Sequence, residues 1–260
     1  MTKQPVNFVL SVLAVLFFML PATSMAEDSP APLSEMWVAS PKAGQAKEFY
    51  AALAEHMALR SESGDPRKWQ TFTPMLGDNL DRVAMRTCCF NWADQDSYGE
   101  WNDKNKAVDE HFMEHVAPHA ENWEHYFESV NWENSHWVES AGPYKLFAVT
   151  EFHVIPGHAA EFKAARDKIL QIALNQGWAT EENSWMWSTT VGGKPIESIV
   201  VPHKNFASMD RADQTFSRFL SRHLGDDAAA ALLQQFAAST KGSNFQIWEL
   251  REEYSMSSDD

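Results

Sequence analysis

Gly44-Gln-Ala-Lys-Glu-Phe49 returns 113 residues later as Gly157-His-Ala-Ala-Glu-Phe162, each with a Pro just upstream, Pro41 and Pro156. The repetition continues outward. Trp69-Gln-Thr-Phe-Thr is matched 116 residues on by Trp185-Met-Trp-Ser-Thr, and Asn91-Trp92-Ala93 with Asp96 is matched 114 residues on by Asn205-Phe206-Ala207 with Asp210. An aromatic follows in both copies, Trp101 and Phe216. Each match alone is loose. In order and at near-constant offset they mark an internal duplication, which we read as repeat units over residues 33–140 and 143–254.

The local signals run in the same order in both units. An apolar strand (residues 35–40; 146–155) passes through Pro and Gly into an amphipathic helix. Phe49, Leu53, His56 and Met57 recur at helical spacing in the first, and Phe162, Ala165, Ile169 and Ile172 in the second. Two strands follow (69–74 and 82–90; 185–191 and 197–201), turning at Gly77-Asp78-Asn79 and at Gly192-Gly193. Asp94 and Ser208 are expected to cap a second helix. A last strand (126–131; 245–250) closes each unit. The order β-α-β-β-α-β is the ferredoxin-like unit. Its sheet covers one face with helices and leaves the other in need of a partner. The predicted class is therefore α+β, with two fused ferredoxin-like repeats whose antiparallel sheets pair into an α/β barrel.

With 21 Lys+Arg against 36 Asp+Glu in 260 residues, the formal charge is −15. That balance argues against a nucleic-acid partner, since such affinity comes mainly from neutralising phosphates, and against adhesion to anionic membrane surfaces. Residues 1–26 read as a signal peptide: Lys3 is its only charge, residues 8–20 are apolar apart from Ser11, and Ser24-Met25-Ala26 offers a cleavage site. The apolar run is too short for a comfortable span, so no stable membrane span is expected after cleavage, and the expected location is periplasmic or secreted.

The strand, Pro/Gly turn, helix ending in Glu-Phe, hairpin and Trp92-Ala93-x-x-Asp96 helix together resemble the dimeric α/β-barrel superfamily. The antibiotic-biosynthesis-monooxygenase (ABM) type is the most similar. The resemblance implies that two fused copies pair within one chain, as a monomer or within a homo-oligomer, around a pocket for a small apolar or aromatic molecule. It implies binding and ABM-like oxidation; the alternatives are a non-catalytic carrier of a ligand or haem, or a structural protein with a filled barrel. By the same resemblance Asn91, Trp101 and His111 are the candidate catalytic residues. In haem-degrading ABM enzymes a Trp precedes the iron-ligating His by ten residues, as Trp101 precedes His111 here, which makes His111 the candidate haem ligand. The family's strand-one Asn is missing, with Trp37 near its place. The second unit has Asp226 where the ligand would fall.

Half of the ten His lie between His111 and His136. His111 and His115 share a helix face and are the candidate metal pair, whereas Pro118 is expected to break the helix before His119. The adjacent Cys88 and Cys89 fall on a strand and are expected to point to opposite faces as small core hydrophobes, a vicinal disulfide being the alternative. Glu151 and His153 share a strand face. The 11 Trp and 16 Phe either fill a wide barrel or line a pocket. Ser255 to Asp260 reads as a short disordered end. The sequence has no Gly-rich phosphate loop and no GxSxG elbow.

Overall fold

A computed structural model describes residues 30–210 and 214–257. The first half runs β1 (Leu33–Pro41), α1 (Ala46–Glu62), β2 (Gln70–Leu76), β3 (Val83–Phe90), α2 (Trp92–Lys104), α3 (Lys106–His111) and β4 (Ala120–Val130). The second runs β5 (Leu146–Val154), α4 (Ala159–Asn175), β6 (Met186–Val191), β7 (Glu197–His203), α5 (Phe216–Leu224), α6 (Asp226–Ala238) and β8 (Thr240–Leu250). All pairings are antiparallel, in the order β1-β3-β2-β8-β5-β7-β6-β4, and the barrel closes. Each half keeps the ferredoxin-like order, and seams between β2 and β8 and between β4 and β6 join the two sheets. The fold is α+β, two ferredoxin-like halves making one barrel, as the repeat predicts.

The repeated glycines have a shared task. Gly44 (φ +79°) and Gly157 (φ +89°) turn the chain from strand into helix in a conformation that side chains rarely adopt. The following helix then lays its apolar face on the outside of the sheet, burying Phe49, Leu53, His56 and Met57 in α1 and Phe162, Ala165 and Ile169 in α4. Alternate residues on each strand point the other way, into the barrel.

The second helix differs from expectation in both halves. It is divided, at Asn105 in the first and at Gly225 (φ +81°) in the second. Asp94 is not the N-cap: Asn91 is, and its backbone N–H donates to the Asp94 carboxylate at 2.7 Å, one arm of a capping box. Ser208 sits inside a 3-10 turn capped by Asn205, and Thr215 caps α5. Past α3 the chain tightens through a π turn (Phe112–Val116) and a 3-10 turn (Ala117–His119), so Pro118 does end the helical run.

Residues 255–257 also depart from their reading as disordered, while 258–260 lie outside the described residues. Met256 is buried in the core of the first half, and the Ser255 hydroxyl accepts from the Thr71 N–H at 2.8 Å. The Met256 side chain finds a slot beside Trp69, and this holds the end of the second half to the first. The expected signal peptide lies outside the described residues. No described helix is long and apolar enough to cross a membrane.

Candidate functional site

The barrel is hollow. Its lumen is a cavity of about 520 Å³, within the range of small-molecule sites. Period-2 alternation decides what faces it: Met36 and Val38 on β1, Ala84 and Arg86 on β3, Tyr126 and Glu128 on β4. From the second half come Phe147, Val149 and Glu151 on β5, and Trp248 and Leu250 on β8. Phe72 and Phe147 meet edge to face at 5.2 Å across the seam of the two sheets. The segment joining the halves borders one end of this space with Trp132, Trp137 and Tyr144.

Charges inside an apolar barrel need partners, and most have them. The Glu128 carboxylate accepts from Ser34 Oγ at 3.0 Å and Ser188 Oγ at 3.2 Å, and Arg86 Nε lies 3.7 Å from it. Arg82 leans toward Glu124 at 3.8 Å. Glu151 and the Tyr126 hydroxyl receive no hydrogen bond from another described residue. Burial pushes the Glu151 carboxyl above its ordinary range, opposed by the charges of Arg82 and His153. Burial, with the nearby Glu128 and Glu151 charges, likewise raises the Tyr126 phenol. His153 acts on Glu151 through charge, and no hydrogen bond joins the pair.

Cys88 and Cys89 do not sit on opposite faces. They are bonded to each other, and both border the lumen. The covalent link overrides the strand's alternation.

The sequence-derived candidates lie elsewhere, in the helical layer. Trp101 stacks on Tyr98 at 5.6 Å. His111 stacks on His56 at 5.5 Å, and its ring centre is 4.6 Å from that of His115. Asn91 borders a separate outer cleft of about 720 Å³ beside Trp132, Lys163 and Arg166. Trp101 and His111 line neither this cleft nor the lumen. The cleft's own charges are already engaged, since Arg166 donates to Glu197 at 2.6 Å and to Asp167 at 2.9 Å.

His56 covers the half-buried His111 ring on one side, and His56 in turn packs on Phe112 at 5.4 Å and Phe112 on Trp123 at 5.0 Å. Burial and the neighbouring His115 lower the His111 pKa. Among the described residues no group of three or more His, Cys, Asp or Glu is placed to hold a metal ion, so His111 and His115 stand as a pair without a third ligand.

No protein-family model and no curated protein matches the chain. Solved structures share its fold. A candidate monooxygenase from Fusobacterium nucleatum superposes with a TM-score of 0.54 at 13% identity, over 85% of this chain and 93% of that one. Another from Lactobacillus acidophilus gives 0.51 at 10% identity, over 85% and 94%. A mutant chlorite dismutase from Candidatus Nitrospira defluvii gives 0.50 at 8% identity, over 87% and 93%. What these structures share with the chain is the fold, eight antiparallel strands closed into one barrel by two ferredoxin-like halves. Identities this low speak for architecture and leave the chemistry to the site.

The residues that sequence reasoning missed are those of the lumen. Arg82, Arg86 and Glu128 are charged residues that border the lumen, and Glu151 was read only as one of a strand-face pair with His153.

Proposed function

We propose that this chain is an exported barrel that binds a small aromatic molecule in its lumen and oxidises it in the manner of an ABM-type monooxygenase. The observation that carries the reading is the cavity itself, enclosed by Phe72, Phe147 and Trp248 and supplied with polar groups that the protein leaves free. Such a lining favours a flat apolar ligand with few polar substituents. Oxidation without a cofactor takes dioxygen as the oxidant: the ligand, held in an apolar space, loses a proton and its anion passes electrons to the oxygen, and the half-buried Glu151 carboxylate is a base of raised pKa facing that space. The candidate monooxygenases that share the fold make oxidation the activity to assay. Export is supported by the apolar run at residues 8–20 and the small residues that follow it.

The test is calorimetric titration with 1,4-naphthoquinol, together with oxygen uptake. One saturable site is expected, weakened roughly tenfold or more by Ala84→Phe or Val200→Phe, either of which puts a ring into the lumen. Oxygen uptake is expected to fall in parallel. Binding that survives both fillings would place the site elsewhere, and binding without oxygen uptake would make the protein a carrier.

A further inference from the structure

Cys88 and Cys89 are bonded to each other, and a bond between neighbours encloses no loop. A disulfide stabilises a fold mainly by removing freedom from the unfolded chain, and it removes more the longer the loop it closes. Here there is no loop, so the link adds almost nothing as a staple. Its position is nonetheless specific. Cys88 pairs with Ser34 on β1 and Phe90 pairs with Leu33, so Cys89 is the extra residue of a β-bulge. The bulge brings two consecutive residues to the lumen, and both border the cavity together with Arg86, Met186 and Trp132. Cys88 is half-buried and Cys89 is exposed, which opens the bond to a reagent from the Cys89 side.

We propose that the Cys88–Cys89 pair is a thiol–disulfide exchange centre on the lumen wall, and that its reactant is a low-molecular-weight thiol. The thiolate attacks Cys89 Sγ and bonds to it. The bond between the two cysteines breaks, and Cys88 Sγ leaves as a thiolate that takes a proton from water. A second thiolate attacks the sulfur of the bound thiol; the small disulfide departs, and Cys89 is freed as a thiolate and protonated in turn. Two small thiols are thereby oxidised to one disulfide while the protein pair is reduced to two thiols, and a small disulfide as oxidant runs the same steps backward. Arg86, two residues before Cys88, puts a positive charge on the same wall, offset in part by Glu128 at 3.7 Å. A place on the wall of a cavity of about 520 Å³ suits a small thiol better than one carried by a folded protein. The exchange requires nothing of the aromatic ligand proposed above.

The experiment incubates the whole folded chain with millimolar reduced glutathione, alkylates it with N-ethylmaleimide and weighs the product by mass spectrometry. Labels are expected on both Cys88 and Cys89, with the circular dichroism spectrum unchanged. Single variants then assign the attacked sulfur. Given oxidised glutathione, Cys88→Ser should form a mixed disulfide at Cys89 roughly tenfold faster than Cys89→Ser forms one at Cys88, because access sets the rate. The reduced native chain should also bind phenylarsine oxide, which bridges two neighbouring thiols, and either single variant should lose that binding. Labelling that appears only after unfolding in urea would overturn the proposal, since the bond would then be closed to thiols in the folded chain. Loss of the folded spectrum on reduction would overturn it too, by making the link a staple after all. Equal rates in the two single variants would overturn the assignment of Cys89 as the attacked sulfur.

Discussion

The two halves share a fold and fill the space between helices and sheet with a different balance of polar and apolar side chains, though Arg166, paired with Glu197, is also buried in the second. In the first half that layer holds a chain of buried polar groups. Glu35, 4% exposed, pairs with Arg67, 7% exposed, and also accepts from Trp37 Nε1 at 3.0 Å and meets His125 at 2.8 Å. The Arg67 guanidinium is sandwiched between Phe90 at 4.0 Å and Tyr98 at 3.8 Å. Beyond it Asp65 joins Arg60 at 2.5 Å and Tyr98 at 3.2 Å, and Arg60 reaches His56 at 2.9 Å. In the second half the layer is a nest of rings: Phe162 and Phe236 at 4.9 Å, Phe152 and Phe236 at 5.1 Å, Phe152 and Trp187 at 5.7 Å. Duplication preserved the backbone and let the filling diverge, because either a satisfied polar network or a packed apolar one can hold a helix on a sheet.

The largest effects should expose that difference. Arg67→Met strands the Glu35 charge in the interior and is expected to cost about 3–5 kcal/mol in urea unfolding. Adding Glu35→Gln should recover most of it, since the penalty lies in the unpaired charge. Phe162→Ala, leaving a cavity among rings, should cost a similar 3–5 kcal/mol. No charge change beside it should bring recovery. If the Arg67→Met, Glu35→Gln double variant is no more stable than Arg67→Met alone, the polar layer is not held by charge pairing and the contrast between the halves collapses.

A second contrast is in acid response. His56 is only 2% exposed, and burial, with the Arg60 and His111 charges, lowers its pKa to about 3. Unfolded, it would titrate near its ordinary value, so between the two values the unfolded chain binds the extra proton. Stability contributed by neutral His56 is therefore whole above about pH 6.5 and is lost as the pH falls toward 3, at up to about 1.4 kcal/mol per pH unit. Unfolding measured across that window should show the slope reduced in His56→Gln. An unchanged slope would mean that His56 titrates alike in the folded and the unfolded chain.

The repeat, the order of elements and the antiparallel pairing were legible in the sequence because each rests on local pattern: the glycine that must turn left-handed, the helical spacing after it, the alternation in the strands. The site was legible only in part. Trp101 and His111 stand at a spacing that suits a ligand in one branch of the superfamily, but spacing along a helix says nothing of what the opposite helix places in the gap. Here His56 on α1 fills it, and its own place on α1 was read correctly as buried. Glu151 was seen as one of a strand-face pair with His153, yet which face looks into the lumen depends on the pairing of β5 with β8, a contact nearly a hundred residues apart. The bond between Cys88 and Cys89 overrode the alternation that predicted separate faces.

The smallest effect is expected at Lys163, and it sharpens what the outer face of the second half contributes. Lys163 donates to Asp167 at 2.6 Å one turn along α4, but its side chain is 66% exposed. Solvent screening and the entropy of holding a long side chain leave such a pair worth about 0.5 kcal/mol or less, so Lys163→Ala should barely shift the unfolding midpoint. Asp167 itself is different. It also accepts from Arg166 and, at 2.9 Å, from Asn134 Nδ2, a buried side chain in the segment that joins the halves. Asp167→Ala leaves that amide without its partner and should cost about 1–2 kcal/mol. If the two substitutions prove equal, Asp167 is acting as a surface charge and the joining segment is not anchored through Asn134. If they differ as expected, the anchor that holds the end of the lumen in place belongs to the second half and works by hydrogen bonding to a buried amide, with the visible ion pair as a bystander.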